Sequence, residues 1–149
     1  MLKYNKYGTA PYSIYLLHGG PGASGEMKPV AKELSKKFGV IESMQTKHSI
    51  DELVEELHNT ILENSNEPII LLGWSWGAWL AVIFASKYPD LCKKIILVSS
   101  GPFESKYIPL MEKTRRKRMS KKDKQKLNTI KKDFANPNTE KENIMKKFG

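Results

Sequence analysis

Apolar positions follow two rhythms along this chain. In the first, short continuous apolar runs stop at clusters of small and turn-forming residues. Tyr12-Ser13-Ile14-Tyr15-Leu16-Leu17 ends at His18-Gly19-Gly20-Pro21-Gly22, and Ile69-Ile70-Leu71-Leu72 ends at Gly73-Trp74-Ser75-Trp76-Gly77. Lys94-Ile95-Ile96-Leu97-Val98 ends at Ser99-Ser100-Gly101-Pro102. Runs of this length bounded by turn signals predict strands covered on both faces. Gly39-Val40-Ile41 predicts one more short strand.

The second rhythm is helical. Val30, Leu34 and Phe38 share one face of a predicted helix that Ser24 would cap and that runs to about Phe38. Ser49-Ile50-Asp51-Glu52 is a capping box, and it opens a stretch with Ile50, Leu53, Leu57 and Ile61 at helical spacing. A third predicted helix runs from about Trp76 to Lys87 and ends at Tyr88-Pro89. Strands and helices therefore alternate. That order predicts an α/β fold, a parallel sheet with helices on both faces.

Near Phe103 the pattern changes. Arg115-Arg116-Lys117-Arg118 leads into Ser120-Lys121-Lys122-Asp123, a second capping-box pattern, with Leu127, Ile130 and Phe134 on one helical face. Asn136-Pro137-Asn138 would break that helix. Another is expected from about Thr139, with Ile144, Met145 and Phe148 apolar. The formal net charge of +9 changes the picture here, because it lies entirely in the last third of the chain. This shift divides the sequence into a core region, 1–103, and a basic helical region, 104–149. The basic run reads as a solvated helix face. It lacks interleaved aromatics that would stack bases and any helix-turn-helix or zinc spacing, so no specific nucleic-acid partner is expected.

Composition narrows the class further. Hydrophobic residues make up 40% of 149, enough for a globular core. The longest apolar stretch, 79–85, is far short of a membrane span, so no membrane partner is expected. The N-terminus lacks a signal-peptide pattern and the single cysteine, Cys92, precludes an internal disulfide. A cytoplasmic protein without metal or cofactor is the expectation, with Cys92 a packed or surface thiol.

The chemistry concentrates at Gly73-Trp74-Ser75-Trp76-Gly77. A serine hydroxyl needs a base to take its proton and an exposed position from which to attack. A sharp strand-to-helix turn supplies the exposure, and small residues two positions either side let the backbone pass. Here G-x-S-x-G follows an apolar strand and opens a helix, which makes Ser75 the candidate nucleophile. The helix start aims backbone N–H groups at developing negative charge, the Trp76 N–H first among them. The second oxyanion donor is expected from the glycine loop after the first strand, at Gly19 or Gly20. Trp74 is a candidate for the substrate pocket. Phosphate binding is disfavoured, since neither loop has the P-loop or dinucleotide glycine spacing.

These residues carry a resemblance. With Tyr88-Pro89 and the run 95–102, the two glycine motifs resemble the N-terminal part of an α/β-hydrolase similar to the proline iminopeptidase group, over about residues 12–103. Trp74 departs from that group, which more often has Gly there. The resemblance implies hydrolysis of a small ester or short peptide through an acyl-enzyme without a cofactor, and the start of a helical cap beyond residue 103. It also implies the order Ser, then Asp or Glu, then His. Yet His18, His48 and His58 all precede Ser75, and no histidine follows it. By the resemblance, His18 shapes the oxyanion loop. The triad acid and histidine are thus expected outside this chain, which reads as a truncated N-terminal half, with a complementing C-terminal chain or self-association covering the open sheet. The rival reading is a non-catalytic remnant or binding module with a basic helical tail.

Overall fold

A computed structural model describes residues 4–20 and 22–136, and the helix expected from Thr139 lies outside them. The chain divides into two compact units, Met1–Phe103 and Glu104–Gly149.

The first unit is built on a five-stranded sheet in the order β1-β3-β2-β4-β5. The strands are β1 (Tyr4–Tyr7), β2 (Tyr12–Leu17), β3 (Gly39–Ser43), β4 (Ile69–Trp74) and β5 (Cys92–Val98). β2, β3, β4 and β5 run parallel, and β1 joins β3 antiparallel. The expected order of strands and helices is present, with β1 as an addition. Tyr-Asn-Lys-Tyr is too short and polar to read as a strand alone, and it is one because β3 offers it an edge. β3 extends to Ser43 and carries a fully buried carboxylate, Glu42, which accepts from Tyr7 Oη at 2.7 Å and Asn5 Nδ2 at 3.3 Å.

Side chains alternate across the sheet even within the continuous apolar runs, as the strand period requires. Tyr15, Leu17, Ile41, Ile69 and Leu71 face one side. There they pack on Leu53, Val54, Leu57 and Ile61 of α2 (Ile50–Asn64) and Leu80, Ala81 and Phe84 of α3 (Trp76–Lys87). Ile14, Leu16 and Val40 face the other side and pack on Met27 and Ala31, the latter from α1 (Lys28–Leu34). Helices thus cover both faces. The Ser49 capping box is formed in full.

The first helix differs from the expectation. It begins at Lys28, with Pro29 in its first turn, and stops at Leu34. Ser24 does not cap it, because the Ser24 Oγ donates instead to the Met44 carbonyl at 2.6 Å. Ala31 and Leu34 turn inward, while Val30 and Phe38 are exposed.

In the second unit, α4 (Ile108–Arg118) carries the Arg115–Arg118 run at its C-terminus, where basic side chains complement the helix dipole. Ser120 caps α5 (Lys121–Ala135), accepting from the Asp123 N–H at 3.1 Å. Arg116 donates to Asn128 at 3.3 Å and Lys131 lies 3.7 Å from Glu112, two exposed side-chain links between the helices. A groove of about 710 Å³ in this unit is lined by Tyr107, Leu110, Met111, Arg115, Arg118 and Met119 among others.

Candidate active site

β2 and β4 lie side by side in the centre of the sheet, with Leu17 opposite Gly73. This pairing brings the loops after both strands to one sheet edge. Ser75 stands there between β4 and α3 with φ 54 and ψ −112, outside the regions an L-residue normally occupies. The fold holds it: its N–H donates to the Val98 carbonyl at 2.9 Å, and its own carbonyl accepts from the Ala78 N–H at 3.2 Å.

The two outer glycines of the motif are there for space. A Cβ on Gly73 would run into the Gly77 backbone and the Ala78 Cα, and one on Gly77 would run into the backbone of Leu17 and His18. Neither glycine has a positive φ. The first turn of α3 thus rides directly on the exit of β2, and only glycine lets the two backbones approach so closely.

The same closeness places the glycine loop. A Cβ built on Gly19 would sit 3.3 Å from Ser75 Cβ and 3.0 Å from the Trp74 ring. Gly19 is therefore packed against the serine, while Gly20, with φ 42 and open space around it, is set by conformation. Trp76 begins α3, so its N–H belongs to the helix end where amides lack intrahelical partners. Its ring packs on the α2/α3 core and meets Trp79 edge-on at 6.0 Å. Trp74 is partly buried, packed on the α1-side core beneath Gly19. Trp79 donates to the Gly101 carbonyl at 3.2 Å and so ties α3 to the exit of β5.

The histidines are placed differently from one another. His18 is buried, with Nδ1 2.8 Å from the Gly19 carbonyl and Nε2 3.0 Å from the Met44 carbonyl. Each ring nitrogen lies against a backbone carbonyl, and a neutral imidazole donates to one of the two. His58 stacks on Tyr88 at 4.1 Å with Nδ1 4.0 Å from Glu55, and His48 is exposed before α2. Asp90 lies in the turn leading into β5, at the sheet end opposite Ser75. Glu104 and Glu112 are paired with Lys106 and Lys131. Burial pushes the Cys92 thiol up from its ordinary value, which disfavours the thiolate a nucleophilic cysteine needs. Among the described residues, no group of three or more His, Cys, Asp or Glu is placed to hold a metal, and no helix is long and apolar enough to cross a membrane.

Sequence reasoning missed Gln45, the residue two beyond β3. It adopts φ 49, and its Nε2 donates to the His18 carbonyl at 3.1 Å. No local sequence signal marks it, because the contact joins two loops 27 positions apart. A cavity of about 1300 Å³, lined by residues such as Tyr12, Asn64, Glu67 and Cys92, opens at the N-terminal ends of the strands, away from Ser75. Its size does not make it the site, since the strained serine and the glycine loop are at the other end.

A mostly parallel sheet between helices, with a strained serine between β4 and α3 and a glycine loop against it, defines a protein class. Residues 12–147 match the model of the alpha/beta hydrolase fold, and the chain belongs to that family. It is 31% identical over 112 residues to a pimeloyl-[acyl-carrier protein] methyl ester esterase of Pseudoalteromonas atlantica, covering 68% of this chain and 42% of that protein. It is 33% identical over 104 residues to a proline iminopeptidase of Lactobacillus delbrueckii subsp. bulgaricus, covering 58% of this chain and 35% of that one. Among solved structures, VinJ superposes with a TM-score of 0.65 at 20% identity, over 76% of this chain and 45% of that one, a likeness of fold. The chain thus spans well under half the length of the curated relatives named here.

Proposed function

We propose that this chain supplies the nucleophile half of a serine-hydrolase site. Ser75 attacks the carbonyl of a small ester or short peptide. The N–H of Trp76, with that of Gly19 or Gly20, takes the charge that develops on the carbonyl oxygen. The reading rests on one observation above all, the packing of Gly19 against a Ser75 held at φ 54 on the N-terminus of α3. The esterase and iminopeptidase relatives agree with ester or amide hydrolysis and leave the choice between them to the substrate pocket.

An acyl-enzyme also needs a base and an acid. No histidine follows Ser75 within these 149 residues, and each ring nitrogen of His18 lies against a backbone carbonyl. We place the acid and base outside these 149 residues, on a segment that pairs with the open edge of β5 in the same or a complementing chain. Self-association through that edge is the alternative in its absence. By itself the chain is expected to turn over substrate very weakly, with oxyanion binding alone leaving roughly 10³–10⁴-fold over water. A cytoplasmic setting fits this assignment.

The test is a fluorophosphonate probe on the chain and on Ser75→Ala. Labelling that maps to Ser75 and disappears in the variant supports an activated serine. Absence of labelling favours the second reading, a non-catalytic module of this fold with a basic helical tail. The lack of a downstream histidine and the charge of the α4/α5 unit speak for that second reading.

A further inference from the structure

The atoms that would aim the Gly19 N–H lie on neither glycine loop nor elbow. The His18 carbonyl and the Gly19 N–H belong to one planar peptide unit, and in a trans unit the two point in opposite directions. Whatever holds the carbonyl therefore aims the N–H. Gln45 Nε2 donates to that carbonyl at 3.1 Å. In the tautomer with its proton on Nδ1, His18 holds the next unit in the same way: Nδ1 lies 2.8 Å from the Gly19 carbonyl, which shares its plane with the Gly20 N–H.

We propose that Gln45 is a positioning residue for the oxyanion loop, its amide fixing the His18–Gly19 peptide plane and so aiming the Gly19 N–H across Ser75. This rests on the assignment of Gly19 as an oxyanion donor made above. Gln45 stands at φ 49, a conformation that a non-glycine residue keeps only when its surroundings hold it there. Its Oε1 is buried without a hydrogen-bond partner, a further cost for a side chain that merely fills space. A glycine at position 45 would avoid both costs but lose the amide. The base beneath Gln45 is braced as well. The Met44 carbonyl accepts from Ser24 Oγ at 2.6 Å and faces His18 Nε2 at 3.0 Å. The Thr46 N–H donates to buried Glu56 of α2 at 2.8 Å. The exit of β3 is thereby joined to the glycine loop on one side and to α2 on the other.

The role is tested on the full chain with two variants and a readout that needs no turnover. Gln45→Gly accepts the backbone conformation and removes the amide. Gln45→Glu keeps the shape but cannot donate to a carbonyl at neutral pH. The ¹⁵N order parameter of the Gly19 N–H is expected at about 0.85 in the parent chain and below about 0.6 in both variants, values that mark rigid and mobile backbone. The Trp76 N–H should stay rigid throughout, and the melting temperature of Gln45→Gly should not fall. A rigid Gly19 N–H in either folded variant overturns the proposal. Where the parent chain is labelled by fluorophosphonate, the rate at Ser75 should drop about 10²-fold in both variants, the loss expected when one oxyanion donor is misplaced. If the parent chain is not labelled, the reading of Ser75 as a nucleophile loses its support to the non-catalytic reading, while the order parameters still decide whether Gln45 aims the Gly19 N–H.

Discussion

β4 and β5 are neighbours, run parallel and are written almost alike, as Ile69-Ile70-Leu71-Leu72 and Ile95-Ile96-Leu97-Val98. Each leads into a serine with a left-handed φ, 54 at Ser75 and 48 at Ser99. Their environments are opposite. Leu71 is fully buried, whereas residues 95–98 are each 37–40% exposed. β4 lies between β2 and β5, but β5 has β4 on one side and no strand on the other among the described residues. An apolar run thus encodes a strand suited to burial, and its neighbours determine whether it is buried. The exposed strand still matters to the site, because the Val98 carbonyl holds the Ser75 N–H. Loosening β5 would loosen the elbow.

The sharpest way to break the comparison is at the register pair Gly73 and Leu97. Gly73→Ala drives a Cβ into the α3 backbone and should abolish the cooperative melt, a loss beyond about 4 kcal/mol and in the range reserved for severe core defects. Leu97→Ala should lower stability by about 1 kcal/mol or less. Urea denaturation followed by circular dichroism measures both, and a folded Gly73→Ala chain with near-native stability would refute the steric account of the elbow.

The next pair is Leu71 and Ile95, also in register. Leu71→Ala should lose about 2–5 kcal/mol through the cavity it leaves. Ile95→Ala should lose about 1 kcal/mol, since much of that side chain already meets solvent. Equal losses would mean that something covers β5 in solution.

That cover can be sought directly. An unpaired apolar edge promotes strand-to-strand association, and a lysine within it opposes pairing. The chain should sediment as oligomers at micromolar concentration, and Ile96→Lys should shift it towards monomer with a stability change of about 0.5 kcal/mol or less. A monomeric parent chain would remove the reason to invoke a partner at this edge.

The smallest effect is expected where the strands agree. Ser99→Gly relieves a left-handed φ but adds the entropy that glycine loses on folding, so its net gain should be a few tenths of a kcal/mol, about 0.3. Thermal melts compared with the parent resolve it, and a destabilised variant would show that the Ser99 side chain holds the exit of β5.

Much of the core was legible because its signals are local. Strand runs, the Ser49 box and the Gly73–Gly77 spacing each describe a few consecutive residues whose backbone demands are fixed by chemistry. β1 was not legible, because a four-residue polar segment becomes a strand only when β3 presents an edge. Ser24 misled for a related reason: its hydroxyl suits a helix cap, but the Met44 carbonyl lies within reach in three dimensions. α4 gave no apolar period to read, since none of its residues is buried and its basic run carries no core-facing pattern.

The candidate site divides in the same way. Sequence by itself determined that Ser75 would stand at a strand-to-helix turn between two glycines, and that all three histidines of these 149 residues precede it. Tertiary structure alone decided that Gly77 must be glycine because the exit of β2 lies against it, that Gly19 packs on Ser75, and that Gln45 grips the peptide bearing the Gly19 N–H. Those facts depend on the order in which strands pair, and a parallel sheet brings together loops separated by dozens of residues that leave no mark on one another in the linear chain.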